Sequence, residues 1–119
     1  KADIILVQEP WIILEELGTA RPILHPSFTP ILPITKEGQR PRTCIYTRRN
    51  LEIEASPDPL DDPDIQSLYL RDSQGNKIQV LNVYNERDKN GNWTAERSLY
   101  SLSLSRDAIL AGDFNIRHP

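Results

Sequence analysis

Four polar residues of this sequence stand where apolar runs end. Glu9 follows Asp3 to Gln8, Tyr84 lies in Asn82-Val83-Tyr84-Asn85, and Asp113 and Asn115 belong to Asp113-Phe114-Asn115. Carboxylates and neutral hydrogen-bonding groups of this kind are what metal-assisted phosphate chemistry requires, because a hard cation takes oxygen ligands and a phosphate needs donors. Open α/β sheets collect such groups at the carboxyl ends of their strands, where rigid backbone holds residues distant in sequence in one cleft. Gly112 allows close backbone approach beside Asp113, and Asn115 can share its polar cleft. Taken singly, each residue has an ordinary reading: Glu9 as a surface carboxylate, Tyr84 as a packing residue with its hydroxyl at the surface. The combination is the signal.

The elements that must position these residues follow from pattern. Asp3 to Gln8 is nearly continuous apolar sequence, expected as a strand buried on both faces between helices, with Glu9 held extended by Pro10. Four prolines between Trp11 and Lys36 predict mostly loop. Thr43 to Thr47 reads as a strand, and Leu51 to Ala55 alternates apolar with acidic residues as a second, broken by Pro57 to Pro63. Ile65 to Leu70 and Lys77 to Tyr84 flank Asp72-Ser73-Gln74-Gly75-Asn76, a loop able to supply positive φ, and form a predicted hairpin. Thr94 is placed to cap a helix over Ala95 to Ser105, with Leu99 and Leu102 on one face, and Ala108 to Gly112 is the last strand. The order suits a mixed α/β sandwich better than an all-parallel sheet.

Bulk properties set outer bounds. The 119 residues fit one domain, with 38% hydrophobic and 26% charged residues describing a globular segment, and no apolar run approaches the roughly 20 residues of a membrane span. The single cysteine, Cys44, excludes an intrachain disulfide and favours an intracellular setting. A net charge of -3 gives no global attraction for nucleic acid. The basic group Arg40, Arg42, Arg48 and Arg49 and the acidic group Asp58, Asp61, Asp62 and Asp64 read as solvated faces, with nucleic-acid contact by the arginines the second reading.

Three segments together resemble the endonuclease/exonuclease/phosphatase superfamily, in that family's order. Lys1 to Pro10 is similar to its strand ending in a Gln-Glu metal-ligand motif, Ile78 to Tyr84 to the strand carrying its tyrosine, and Ile109 to Asn115 to its Gly-Asp-x-Asn motif. Gln-Glu-Pro-Trp and Asn-Val-Tyr-Asn look most like the endonuclease domains of non-LTR retrotransposon polyproteins. The resemblance implies a partial four-layer α/β sandwich with mixed, largely antiparallel sheets over residues 1–119, lacking the first strand and the C-terminal part. It implies Glu9 as a ligand of magnesium, with manganese as a substitute. Asp113 would orient or deprotonate the attacking water, Asn115 would hold Asp113 or a phosphate oxygen, and Tyr84 would donate to a nonbridging oxygen. DNA would be the partner, a reverse transcriptase domain the neighbour in the parent polyprotein, and the nucleus the place of action.

Departures from the family shape the expectation. Its asparagine-bearing first strand and its closing Ser-Asp-His motif have no counterpart between Lys1 and Pro119, so the chain reads as a fragment, inactive in isolation, with exposed sheet edges. His118 is no replacement for the final histidine, His25 reads as a loop residue between prolines, and Arg87 stands where repair relatives carry an asparagine. Beside DNA nicking stand two other readings: a phosphodiesterase for inositol phosphates or phospholipids, and an inactive remnant keeping the ancestral fold.

Overall fold

In the computed structural model, residues 3–16, 19–33, 35, 38–58, 60 and 62–114 are described. They form β1 (Ile4–Gln8), β2 (Ile12–Leu14), β3 (Ala20–Pro22), β4 (Phe28–Ile31), β5 (Thr43–Arg48), β6 (Glu54–Asp58), β7 (Ile65–Arg71), β8 (Lys77–Tyr84), α1 (Glu96–Ser101) and β9 (Ala108–Asp113). Three open sheets result, in the orders β1-β5-β4, β2-β3 and β6-β7-β8-β9. Every pairing is antiparallel except β8 with β9.

The sheets take their places from which faces are apolar. Ile45 of the three-stranded sheet meets Leu68, Leu70 and Val80 of the four-stranded sheet, and Ile4, Leu6, Ile31, Ala55 and Ile78 complete this inter-sheet core. The opposite face of the four-stranded sheet carries Ile65, Leu81 and Val83, covered by Ala95, Leu60, Leu99, Leu102 and Phe114. Full burial of a side chain such as Leu68 or Leu81 contributes roughly 1.5–3 kcal/mol before chain entropy is counted. β8 is thus apolar on both sides, as an interior strand must be.

Tight turns connect the strands by a device used twice. Asp72 Oδ1 accepts the N–H groups of Gln74 and Asn76, both at 2.9 Å, and Gly75 supplies φ +86°. Asp88 Oδ1 accepts those of Asn90 and Asn92 at 2.8 and 3.0 Å, with Gly91 at φ +81°. In both, an aspartate side chain holds an Asp-x-x-Gly-Asn loop closed.

Several expectations require correction. The four-layer α/β sandwich is overturned: the chain is almost entirely β, and the only helix among the described residues is the six-residue α1. Thr94 does not cap it, because its hydroxyl accepts the Glu86 N–H at 3.2 Å. The helix stops at Leu102, whose backbone is extended, and the serines of 101–105 favour local backbone bonds over helix continuation. β1 is an edge strand with Ile5 37% exposed, not a central strand between helices. The segment expected as mostly loop holds β2, β3 and β4, because Pro22 and Pro30 lie in strands at sheet edges, where a missing N–H breaks no ladder. The same tolerance moves the acidic strand to β6, with Pro57 inside it.

Gly112 makes the tightest backbone contact. It sits at φ +150°, and a Cβ there would lie 1.9 Å from the Val83 carbonyl oxygen across the β8–β9 ladder. Gly112→Ala is therefore expected to lower the unfolding free energy by about 3 kcal/mol or more. Gly75→Ala, at positive φ but with open space around it, should lose only about 1–2 kcal/mol. Urea denaturation of the two variants checks this; equal losses would mean that β9 is not clamped to β8 at this point.

Candidate functional site

The carboxyl ends of β1, β8 and β9 meet at one end of the sandwich. Glu9 follows β1 directly, with its backbone at φ +51° instead of extended, and its N–H donates to the Arg42 carbonyl at 2.9 Å. A left-handed glutamate before a proline is a strained arrangement that its surroundings must hold. Tyr84 ends β8, 6% exposed, and its N–H donates to the Asp64 carbonyl at 2.8 Å. Asp113 ends β9 opposite Tyr84 in the ladder, and its carbonyl accepts the Asn85 N–H at 2.8 Å. Paired positions share a sheet face, so the Asp113 and Tyr84 side chains leave on the same side. Asn115, like His118, lies outside the described residues.

Tyr84 is held neutral. Burial pushes its hydroxyl up to about 12, and the hydrogen bond to the Glu9 carboxylate and the charges of Glu86 and Glu9 act the same way. It is a donor across the whole ordinary pH range, and the Glu9 carboxylate accepts from it.

Arg42 organises this end. Its guanidinium lies over the Tyr84 ring at 4.6 Å, forms an ion pair with Asp64 at 2.8 Å, and donates to Glu86 Oε2. One cation thus joins the start of β5 to the approach to β7 and the exit of β8. Burial raises the Asp64 carboxyl above its usual value, while a Thr94 hydrogen bond and Arg42 oppose the rise. Asn85 completes the frame: its Oδ1 accepts the Ala95 N–H and its Nδ2 donates to the Phe114 carbonyl, both at 3.2 Å. Reading Arg42 and Asp64 as parts of solvated charge groups is corrected here, since Asp64 is 6% exposed. Their placement one residue before β5 and β7 was the available signal.

The chemistry expected of this end is corrected as well. Among the described residues, no group of three or more His, Cys, Asp or Glu side chains is arranged to hold a metal ion. Glu9 is spent on Tyr84, and Asp64 and Glu86 on Arg42. Magnesium or manganese as cofactor, metal-dependent phosphodiester hydrolysis, DNA as substrate and a reverse transcriptase neighbour all rested on that ligand set and on the four-layer fold, and they fall with both. No helix among the described residues is long and apolar enough to cross a membrane.

What this end does offer lies beside the polar cluster. β9 is the edge of its sheet, with no strand on its outer side among the described residues, yet Ile109 is 51% and Leu110 44% exposed. The carbonyls of Asp107 and Asp113 accept from Gln79 and Asn85 on the β8 side. The ladder's two-residue alternation therefore turns the N–H and C=O groups of Ala108, Leu110 and Gly112 outward. The result is an apolar edge that ends near two exposed carboxylates, Asp113 and Glu9.

Removing the central cation tests the frame. Arg42→Met leaves the Asp64 carboxylate buried without its ion pair. Loss of a fully buried partner costs 3–5 kcal/mol, and because Arg42 is one-third exposed the expected loss is smaller, about 2–3 kcal/mol at neutral pH. Asp64 has a raised folded-state pKa, so its protonated form is the better tolerated one. The deficit of the variant against the parent should shrink as pH falls toward the ordinary carboxylate value of 3.8. Chemical denaturation across that range checks it, and a deficit independent of pH would mean that Asp64 is not the group left unpaired.

No protein-family model matches the chain, and neither a curated protein nor a solved structure matches it. The almost all-β architecture of three open sheets overturns the resemblance to the endonuclease/exonuclease/phosphatase superfamily that the three strand-end motifs suggested.

Proposed function

We propose that this chain is a polypeptide-binding β module that accepts an extended segment of another protein on the outer edge of β9. One observation carries the reading: β9 has the composition of an interior strand, apolar on both faces and paired in parallel, but occupies an edge. Soluble proteins normally blunt such an edge with charge, proline or a covering loop. The opposite edge of the same sheet follows that rule, since β6 carries Glu54, Pro57 and Asp58. β4 follows it too, with Pro30 on the edge of the three-stranded sheet. β9 presents Ile109, Leu110 and Ala111 with one charge, Asp113, at its end, and it is more exposed than β1, the other apolar edge.

Strand addition divides the work between backbone and side chains. The outward N–H and C=O groups of Ala108, Leu110 and Gly112 supply affinity by main-chain bonding, and the flanking side chains supply selectivity. An added strand with apolar residues at alternate positions covers Ile109 on one face and Leu110 on the other. Where it passes the end of β9, the exposed carboxylate of Asp113 favours a lysine or arginine. Tyr84 sits below, fixing Glu9 by its hydrogen bond.

A short peptide of alternating valine and threonine ending in lysine, titrated into isotope-labelled protein, should shift the amide signals of Ala108, Leu110 and Gly112. Binding is expected to be weak, with a Kd on the order of 0.1 mM. Leu110→Glu should weaken it tenfold or more, and Asp113→Asn should weaken the lysine-ended peptide about threefold while leaving a threonine-ended one unchanged. Shifts confined to β6, or none at millimolar peptide, would contradict the proposal.

A further inference from the structure

At the end of the sandwich away from Tyr84, the two sheets part around a cavity of about 150 Å³. Its lining is mixed: Ile4 from β1, Leu51 and Ile53 from the connection into β6, Ala55 from β6 and Leu70 from β7 form an apolar side, and Thr29 of β4 and Thr47 of β5 a polar one. Ala55 turns toward the space while Glu54 and Ser56 are exposed to solvent, as strand alternation requires, and Ile53 lines it at the half-open side with 37% exposure. The rim is cationic, built from Arg48, Arg49 and Asn50 where β5 ends.

The rim is held in place. Arg48 Nε donates to Asp3 Oδ1 at 3.0 Å, and its guanidinium lies over the Phe28 ring at 4.9 Å. The Arg49 N–H donates to the Ser27 carbonyl at 2.8 Å, and Asn50 turns the chain at φ +65°. Arg48 is partly neutralised by Asp3, whereas Arg49 has no ion-pair partner among the described residues. A space with an apolar side, bordered by a guanidinium that has no ion-pair partner among the described residues, is complementary to an amphiphilic anion.

We infer that this cavity, lined by Ile4, Leu51, Ile53, Ala55 and Leu70 and rimmed by Arg48 and Arg49, binds a small monocarboxylate with an apolar body. The volume, equal to that of about five liquid waters, accommodates a branched aliphatic or single-ring acid. The carboxylate meets Arg49 at the mouth, and the body displaces solvent from the apolar side. This site is independent of β9 and stands whether or not that edge takes a peptide.

Benzoate is a suitable probe, titrated into the whole chain and followed by methyl and arginine side-chain signals. Saturable shifts of Ile53, Leu70 and Arg49 are expected, with benzyl alcohol and acetate each binding at least about tenfold more weakly. Arg49→Gln, an exposed substitution that leaves the walls intact, should weaken benzoate by about tenfold as well. Equal binding of benzyl alcohol, equal binding of acetate, or unchanged affinity in Arg49→Gln would each overturn the assignment.

Discussion

Asn82 is a fully buried amide at the centre of the sandwich, and the docking of the two main sheets depends on it. Its Nδ2 donates to the carbonyls of Val7 and Cys44 at 3.0 and 3.2 Å, and its Oδ1 accepts from Gln8 Nε2 at 2.6 Å. Val7 and Cys44 face each other across β1 and β5, so one side chain of β8 holds both strands of the opposing sheet. Apolar contacts between sheets are non-directional and tolerate sliding. A buried amide does not, because each bond lost there leaves a desolvated polar group costing about 1–3 kcal/mol. Asn82 thereby selects one alignment from the many that Ile45, Leu68 and Val80 would accept.

That alignment determines what gathers at each end of the molecule. With Val7 fixed above Asn82, Glu9 falls two residues further along, beside Tyr84, and Arg42 reaches Asp64 and Glu86. At the other end the sheets diverge, opening the cavity below Arg48 and Arg49. Cys44, at the middle of this arrangement, is fully buried, and burial pushes its thiol up to about 11, so it behaves as a small apolar residue. β9 joins from the side through Gly112, adding an apolar strand to β8 and becoming the new edge.

Legibility from sequence divided along physical lines. β5, the β7–β8 hairpin and β9 were readable, because each is a run of β-branched or apolar residues bounded by aspartate, asparagine or glycine. β2, β3 and β4 were not, since proline counts against a strand unless its position at an edge is known, and edge position is a property of the assembled sheet. The convergence of Glu9, Tyr84 and Asp113 on one end was anticipated from their placement after strands. Their chemistry was not, because it is set by Arg42 and Asp64, which looked like solvated charges until the fold buried one and engaged the other. Short motifs constrain only local backbone: Gly-Asp-Phe-Asn describes how β9 ends and leaves open what layers surround it.

The central claim is that β9 lies on β8 with one side bonded and no strand on the other among the described residues, and residue-resolved amide hydrogen exchange tests it most directly. The pairing predicts protection that alternates along a single strand: slow exchange at Ile109, Ala111 and Asp113, whose N–H groups point to β8, and fast exchange at Ala108, Leu110 and Gly112. Uniform protection along 108–113 would show that the outer edge is already covered, and uniform fast exchange would show that β9 is not part of the sheet; either result contradicts the account.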